Sequence, residues 1–68
     1  MTNTVPVLIE ELEGAALDYA IGELSERIGR PIFFAGSKEM IEGGQRALLR
    51  GYTEGPTVQV PASLVGGE

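Results

Sequence analysis

The 68-residue chain has no cysteine, no histidine and no tryptophan. Without cysteine, no disulfide can staple the fold, and nothing argues against a reducing cytoplasm. Without either cysteine or histidine, zinc, haem, iron–sulfur and copper sites lose their usual ligands, so no metal or cofactor is expected. Ser25, Ser37 and Ser63 have no imidazole to activate them, and Ser37 and Lys38 are neighbours that do not face each other on a helix. Enzymatic activity is therefore not expected. Long apolar runs are missing too. Val5-Pro6-Val7-Leu8-Ile9 stops at Glu10, far short of the ~20 residues of a membrane span, and the opening M-T-N-T-V-P has no basic stretch of a targeting signal. Bases are scarce: five Lys and Arg face ten Asp and Glu, a net charge of −5. Nucleic-acid binding led by the phosphate backbone needs the opposite balance.

What remains is a chain with 43% hydrophobic residues, enough to fold. Its length fits one domain over residues 1–68. A domain of this size buries only about 60% of its unfolded surface, so a partner chain or a second copy would add useful burial. A homo-oligomer is expected on that ground. The charge is also uneven. Residues 1–26 carry six acids (Glu10, Glu11, Glu13, Asp18, Glu23, Glu26) and no base, whereas residues 27–68 carry four acids and all five bases. One end should be distinctly negative, a solvated face or a docking surface for a basic partner.

The strongest periodic signal is in G-A-A-L-D-Y-A-I-G-E-L-S-E-R-I-G. Leu17, Ala20, Ile21, Leu24 and Ile28 recur at helical spacing, with Asp18, Gly22, Ser25 and Glu26 opposite. Glu13 and Arg27 suit the helix dipole, Gly29 is a C-terminal cap, and Pro31 prevents continuation, which predicts a helix over about 13–28. Residues 5–9 are an edge strand interrupted by Pro6 or an extended lead-in. Pro31-Ile32-Phe33-Phe34-Ala35 reads as a short buried strand with Phe33 and Phe34 facing opposite ways. Ser37 suits an N-cap. Beyond it Met40, Ile41, Gly44, Ala47 and Leu48 trace a helical stripe over about 37–50, which Gly43-Gly44 leaves as a helix, a short or broken helix, or a hairpin turn, with a helix or broken helix preferred. Thr57-Val58-Gln59-Val60 alternates as a half-buried strand, and residues 61–68 read as a loose tail. The expected fold is α+β: one long amphipathic helix on a two- or three-stranded sheet (about 5–9, 31–35 and 57–60), with a second, lesser helix.

Three motifs suggest chemistry. Gly43-Gly44-Gln45 is the tripeptide that class I translation release factors present at the tip of a long, RNA-bound domain; in a short acidic chain, inside an apolar stripe, it reads as a kink or turn. Ala35-Gly36-Ser37-Lys38 lacks the spaced glycines of a phosphate-binding loop and reads as a helix cap. Glu10, Glu11 and Glu13 are too close together for a shaped acid/base pair, and no calcium-loop pattern is present.

Glu11 to Gly22, E-L-E-G-A-A-L-D-Y-A-I-G, resembles the opening of a family of small bacteriophage proteins called NinX-like. Those begin with a short strand and then a Leu-x-Gly-x-Ala-Leu-Asp-aromatic-Ala-Val pattern. Leu12, Gly14, Ala16, Leu17, Asp18, Tyr19, Ala20 and Ile21 occupy those places, with Tyr19 where the family usually has Trp. The resemblance implies a phage or prophage origin, an accessory role and residence in the host cytoplasm. The family has no established activity, so no site residue carries over. The residues themselves point to a non-enzymatic protein-binding module. Aromatics supply anchor area and acids supply steering, which selects Asp18, Tyr19, Glu23, Glu26, Phe33, Phe34 and Tyr52 as contact residues. An inhibitor of a host defence complex, such as a restriction or CRISPR effector, is one form of that expectation. A virion or assembly component, or an antitoxin-like partner of a basic toxin, is the alternative.

Overall fold

A computed structural model describes residues 3–65. It is an α+β fold of two helices and a two-stranded antiparallel sheet. The order is β1 (Thr4–Leu8), a 3-10 turn (Ile9–Glu11), α1 (Gly14–Ile28), α2 (Lys38–Tyr52), β2 (Thr57–Pro61) and a second 3-10 turn (Ala62–Leu64).

The sheet joins the two ends of the chain. Val5 lies opposite Val60 and Val7 opposite Val58, so the four valines share one face, and these pairs lie against the core. Thr4, Pro6 and Leu8 share the other, exposed face. The hydrogen-bond phase follows from the ladder's ends. Ala62 N–H donates to Asn3 O at 2.9 Å and Ile9 N–H donates to Pro56 O at 2.8 Å. Hydrogen-bonded pairs recur every second residue, so Val5 and Val7 bond to β2 while Thr4, Pro6 and Leu8 aim their backbone groups at the open edge. Pro6 thus sits where its missing N–H costs no ladder bond, and it interrupts the edge against further pairing. Pro61 does the same for β2. Pro56 could not answer Ile9 in return, and Ile9 O instead accepts from Leu12 N–H at 3.1 Å, closing the 3-10 turn.

The core is Ile9, Leu12, Leu17, Leu24, Leu49 and Val60 with Ala16, Ala20 and Ile21 filling between them. Helix α1 follows its predicted period: Ala16, Leu17, Ala20, Ile21 and Leu24 are buried. It stops at Gly29, whose φ of 76° is left-handed and suits a residue without Cβ. The Gly29 and Arg30 N–H groups both donate to Ser25 O, at 3.0 and 3.3 Å, and the Ser25 hydroxyl donates to Arg30 O at 2.7 Å.

Three expectations change. First, α2 is one continuous helix through Gly43-Gly44, neither broken there nor turned into a hairpin. Ser37 caps it by accepting from Met40 N–H at 3.2 Å, and burial of Leu49 and Gln45 holds its inner face, which outweighs the glycines' weak propensity. Secondly, residues 31–35 pair with no strand among the described residues, so of the two- or three-stranded alternatives the sheet has two strands. Residues 31–35 connect the two helices, with Ile32 packed against the core and Phe34 lying over α2. Gly44 makes that contact possible: a Cβ there would stand 2.9 Å from the Phe34 ring. Thirdly, of the expected tail, Pro61 ends β2, residues 62–64 form a 3-10 turn, and Val65 after it packs against the core; residues 66–68 lie outside the described residues. Gly22, by contrast, faces open space.

Candidate functional site

The E-G-G-Q-R stretch is the most connected polar feature, and its role is structural. Glu13, at the start of α1, offers no side-chain cap. The Gly14 N–H donates instead to the Glu42 carboxylate of α2 at 3.1 Å, placing a negative charge at the positive end of α1. Arg46, one turn on, donates from Nε to Leu12 O at 2.8 Å and sits 3.5 Å from the other Glu42 oxygen. Glu42 and Arg46 therefore clamp α2 onto the entry of α1. Between them Gly44 admits Phe34 and Gln45 turns inward, buried at 9% exposure. The glutamine of the Gly-Gly-Gln tripeptide is thus held inside a helix and not offered at a tip. A second cross-link, Arg50 to Glu10 at 2.6 Å, is largely solvated and stabilises little. No buried side-chain polar atom among the described residues lacks a partner.

Three surfaces among the described residues carry most of the expected contact residues. The first is the outward side of α1, where Asp18, Glu23 and Glu26 are exposed. None of the three is in an ion pair among the described residues, where the only pairs are Glu42–Arg46 and Glu10–Arg50. The second is a groove of about 360 Å³ between α1 and β2. Tyr19, Glu23 and Arg27 stand at i, i+4 and i+8 along its helical wall, Thr57 and Gln59 form the strand wall, and Leu24 and Leu49 lie at its base. By the ladder phase, Thr57 and Gln59 are the β2 residues whose N–H groups point away from β1, Pro61 having none. The Thr4 hydroxyl fixes the Gln59 side chain through a 3.1 Å hydrogen bond to its Oε1. The third is segment 31–35 with its surroundings, where Phe33 is 86% exposed and Met40 is 67% exposed. Lys38, behind the Ser37 cap, is exposed, as the cap reading of Gly-Ser-Lys predicts.

Six of the seven expected contact residues lie on these surfaces. Tyr19 and Glu23 line the groove. Asp18 and Glu26 lie on α1 outside it. Phe33 projects into solvent while Phe34 turns toward Gly44, the opposite facing expected of neighbours in an extended chain. Tyr52 ends α2, half exposed. Arg27, Thr57 and Gln59 were not singled out by the sequence. Arg27 reads there as a helix-dipole partner, and only the packing of α1 beside β2 turns it toward a groove. No described helix is long and apolar enough to cross a membrane, and no three carboxylates gather among the described residues in a way that could hold a metal ion. In comparison with known proteins, the chain matches no family model, no curated protein and no solved structure.

Proposed function

We propose that this chain is a small, acidic, non-enzymatic protein-binding module of phage or prophage origin. It acts in the host cytoplasm by occupying a surface of a host protein complex. The observation that carries the reading is the unpaired acidic side of α1: Asp18, Glu23 and Glu26 are exposed and engage no base among the described residues. Such a face steers toward a basic surface, and nucleic-acid-handling complexes present basic grooves that an acidic module can block. An inhibitor of a restriction or CRISPR effector is the specific form of this proposal. Tyr19, one turn before Glu23 on the groove wall, supplies anchor area beside the charges, and the exposed Phe33 supplies a second anchor on the 31–35 segment.

The test is capture of partners by the tagged protein from host lysate, with nuclease present, at low and high salt. A stoichiometric partner that is lost at high salt, and lost when Asp18, Glu23 and Glu26 are changed together to Asn and Gln, supports the proposal. A partner indifferent to both salt and the triple change sinks it. A second reading, a virion or assembly component, is favoured by the exposed Phe33 of segment 31–35; copurification with particles instead of free host proteins would select it.

A further inference from the structure

We infer that the partner docks as an extended peptide segment, laid along the open edge of β2 as a third strand, with a base and an acid on the face it turns toward α1; this rests on the protein-binding reading above and gives the partner's place and form. Val58 and Val60 bond to β1, so the N–H and C=O groups of Thr57 and Gln59 turn outward. No backbone hydrogen bond among the described residues takes them up. The Gln59 side chain is engaged elsewhere, accepting from the Thr4 hydroxyl at 3.1 Å. A donor and an acceptor repeated at every second residue form the pattern that another extended backbone matches. The edge of β1 is the poorer platform, because Pro6 has no N–H to offer at its centre.

The β2 edge borders the groove beside α1. In an added strand, the residues opposite Thr57 and Gln59 turn their side chains outward with them, and the residue beside Val58 turns its side chain inward to the helix. Inward side chains recur about every 6.6–6.8 Å along a strand. Tyr19, Glu23 and Arg27 recur every four residues of α1, about 6 Å. The spacings are close enough for one extended chain to meet Glu23 and Arg27 with successive inward side chains.

Charge selects the occupant. Glu23 precedes Arg27 by four residues, the order in which acid and base pair best along a helix. Glu42 and Arg46 have the same spacing and do pair, at 3.5 Å. Glu23 and Arg27 do not: both are exposed, both line the groove, and neither is in an ion pair among the described residues. A Lys or Arg of the segment meets Glu23, its apolar stem lying over the groove's base at Leu24. An Asp or Glu two residues along meets Arg27. A second copy of this chain is the poorer occupant, because it would bring its own charge of −5 to the groove.

The experiment is selection by the full chain from a displayed library of random peptides of about seven residues. Amide exchange of the chain then follows with the most enriched peptide, synthesised with blocked ends. Enriched peptides should carry a base and an acid two residues apart. The Thr57 and Gln59 amides should gain at least about tenfold protection, while Val58 and Val60, already bonded to β1, change little. Gln59→Pro removes one edge N–H at a place where Pro6 already stands opposite, and should weaken the peptide at least about tenfold. Glu23→Arg, at an exposed position, should switch the selected base to an acid, and it decides the matter if Gln59→Pro disturbs the fold by circular dichroism. No enrichment, enrichment without the base–acid pair, or binding that protects neither Thr57 nor Gln59 overturns the inference. So does protection that rises with chain concentration in the absence of peptide, which would give the edge to a second copy. Gln59→Pro changes no charge, and Asp18→Asn with Glu26→Gln spares the groove. A host partner lost on that acid pair but kept on Gln59→Pro refutes the added strand alone; one indifferent to the acid pair and to salt but lost on Gln59→Pro refutes the acidic-face reading alone.

Discussion

Gly43 and Gly44 are neighbours in one helix and differ in what lies above them. A methyl group at Gly43 would meet nothing within 4 Å; at Gly44 it would stand 2.9 Å from Phe34 Cε1 and 3.0 Å from Cδ1. Replacing a helical glycine by alanine gains about 1 kcal/mol through propensity alone. Gly43→Ala should therefore stabilise the protein by about 0.5–1 kcal/mol, raising Tm by several degrees in a domain of this size. Gly44→Ala has the same gain opposed by overpacking against the ring, about 1–3 kcal/mol, for a net change between about zero and 2 kcal/mol of destabilisation. Phe34 is only half-buried and its ring has some freedom to yield, so the smaller end of that range is the firmer expectation. Urea unfolding followed by far-ultraviolet circular dichroism measures both variants, with unchanged slope required for the comparison. A double-mutant cycle isolates the contact: in a Phe34→Ala background Gly44→Ala should recover the full gain seen at Gly43, a coupling of about 1 kcal/mol or more. Equal stabilisation by both single changes in the wild-type background would refute the placement of Phe34 on α2.

Other outcomes follow from the same packing. Glu42→Ala removes both the acceptor for Gly14 N–H and the partner of Arg46, and should cost about 1 kcal/mol, with faster amide exchange at the first turn of α1. Exchange that rises equally throughout the protein would argue against a local cap. Ser37→Ala should cost about 1 kcal/mol and raise exchange at Met40, whose N–H loses its acceptor; unchanged exchange there would remove the cap from the account. Leu24, 2% exposed at the centre of the core, should cost about 2–5 kcal/mol when cut to alanine. A domain this small has little more than that in reserve, so Leu24→Ala should be largely unfolded at 37 °C by circular dichroism.

The polar clamp shows why the site was only partly legible in the sequence. The acids and aromatics offered as contact residues are visible in a linear reading because each is unusual where it stands. Glu42 and Arg46 are visible only as a solvated helix face and a helical cation; their targets, Gly14 N–H and Leu12 O, lie 28 and 34 residues away. The groove is in the same position. Tyr19, Glu23 and Arg27 share a strip of α1 by spacing, but Thr57 and Gln59 join them only because β2 returns beside that helix.

Local chemistry alone determined α1, its stop at Gly29, the Ser37 cap and the alternation of β2. Each depends on residues within a few positions of one another, so periodicity and capping suffice. Tertiary structure decided the rest. A strand needs a partner, and β1 found its partner about fifty residues along, which left the equally strand-like 31–35 unpaired among the described residues. A glycine pair weakens an isolated helix by about 2 kcal/mol in total, yet α2 runs through it. The deficit is offset by burial of Leu49, by the clamp to α1, and by a phenylalanine ring that only glycine leaves room to seat.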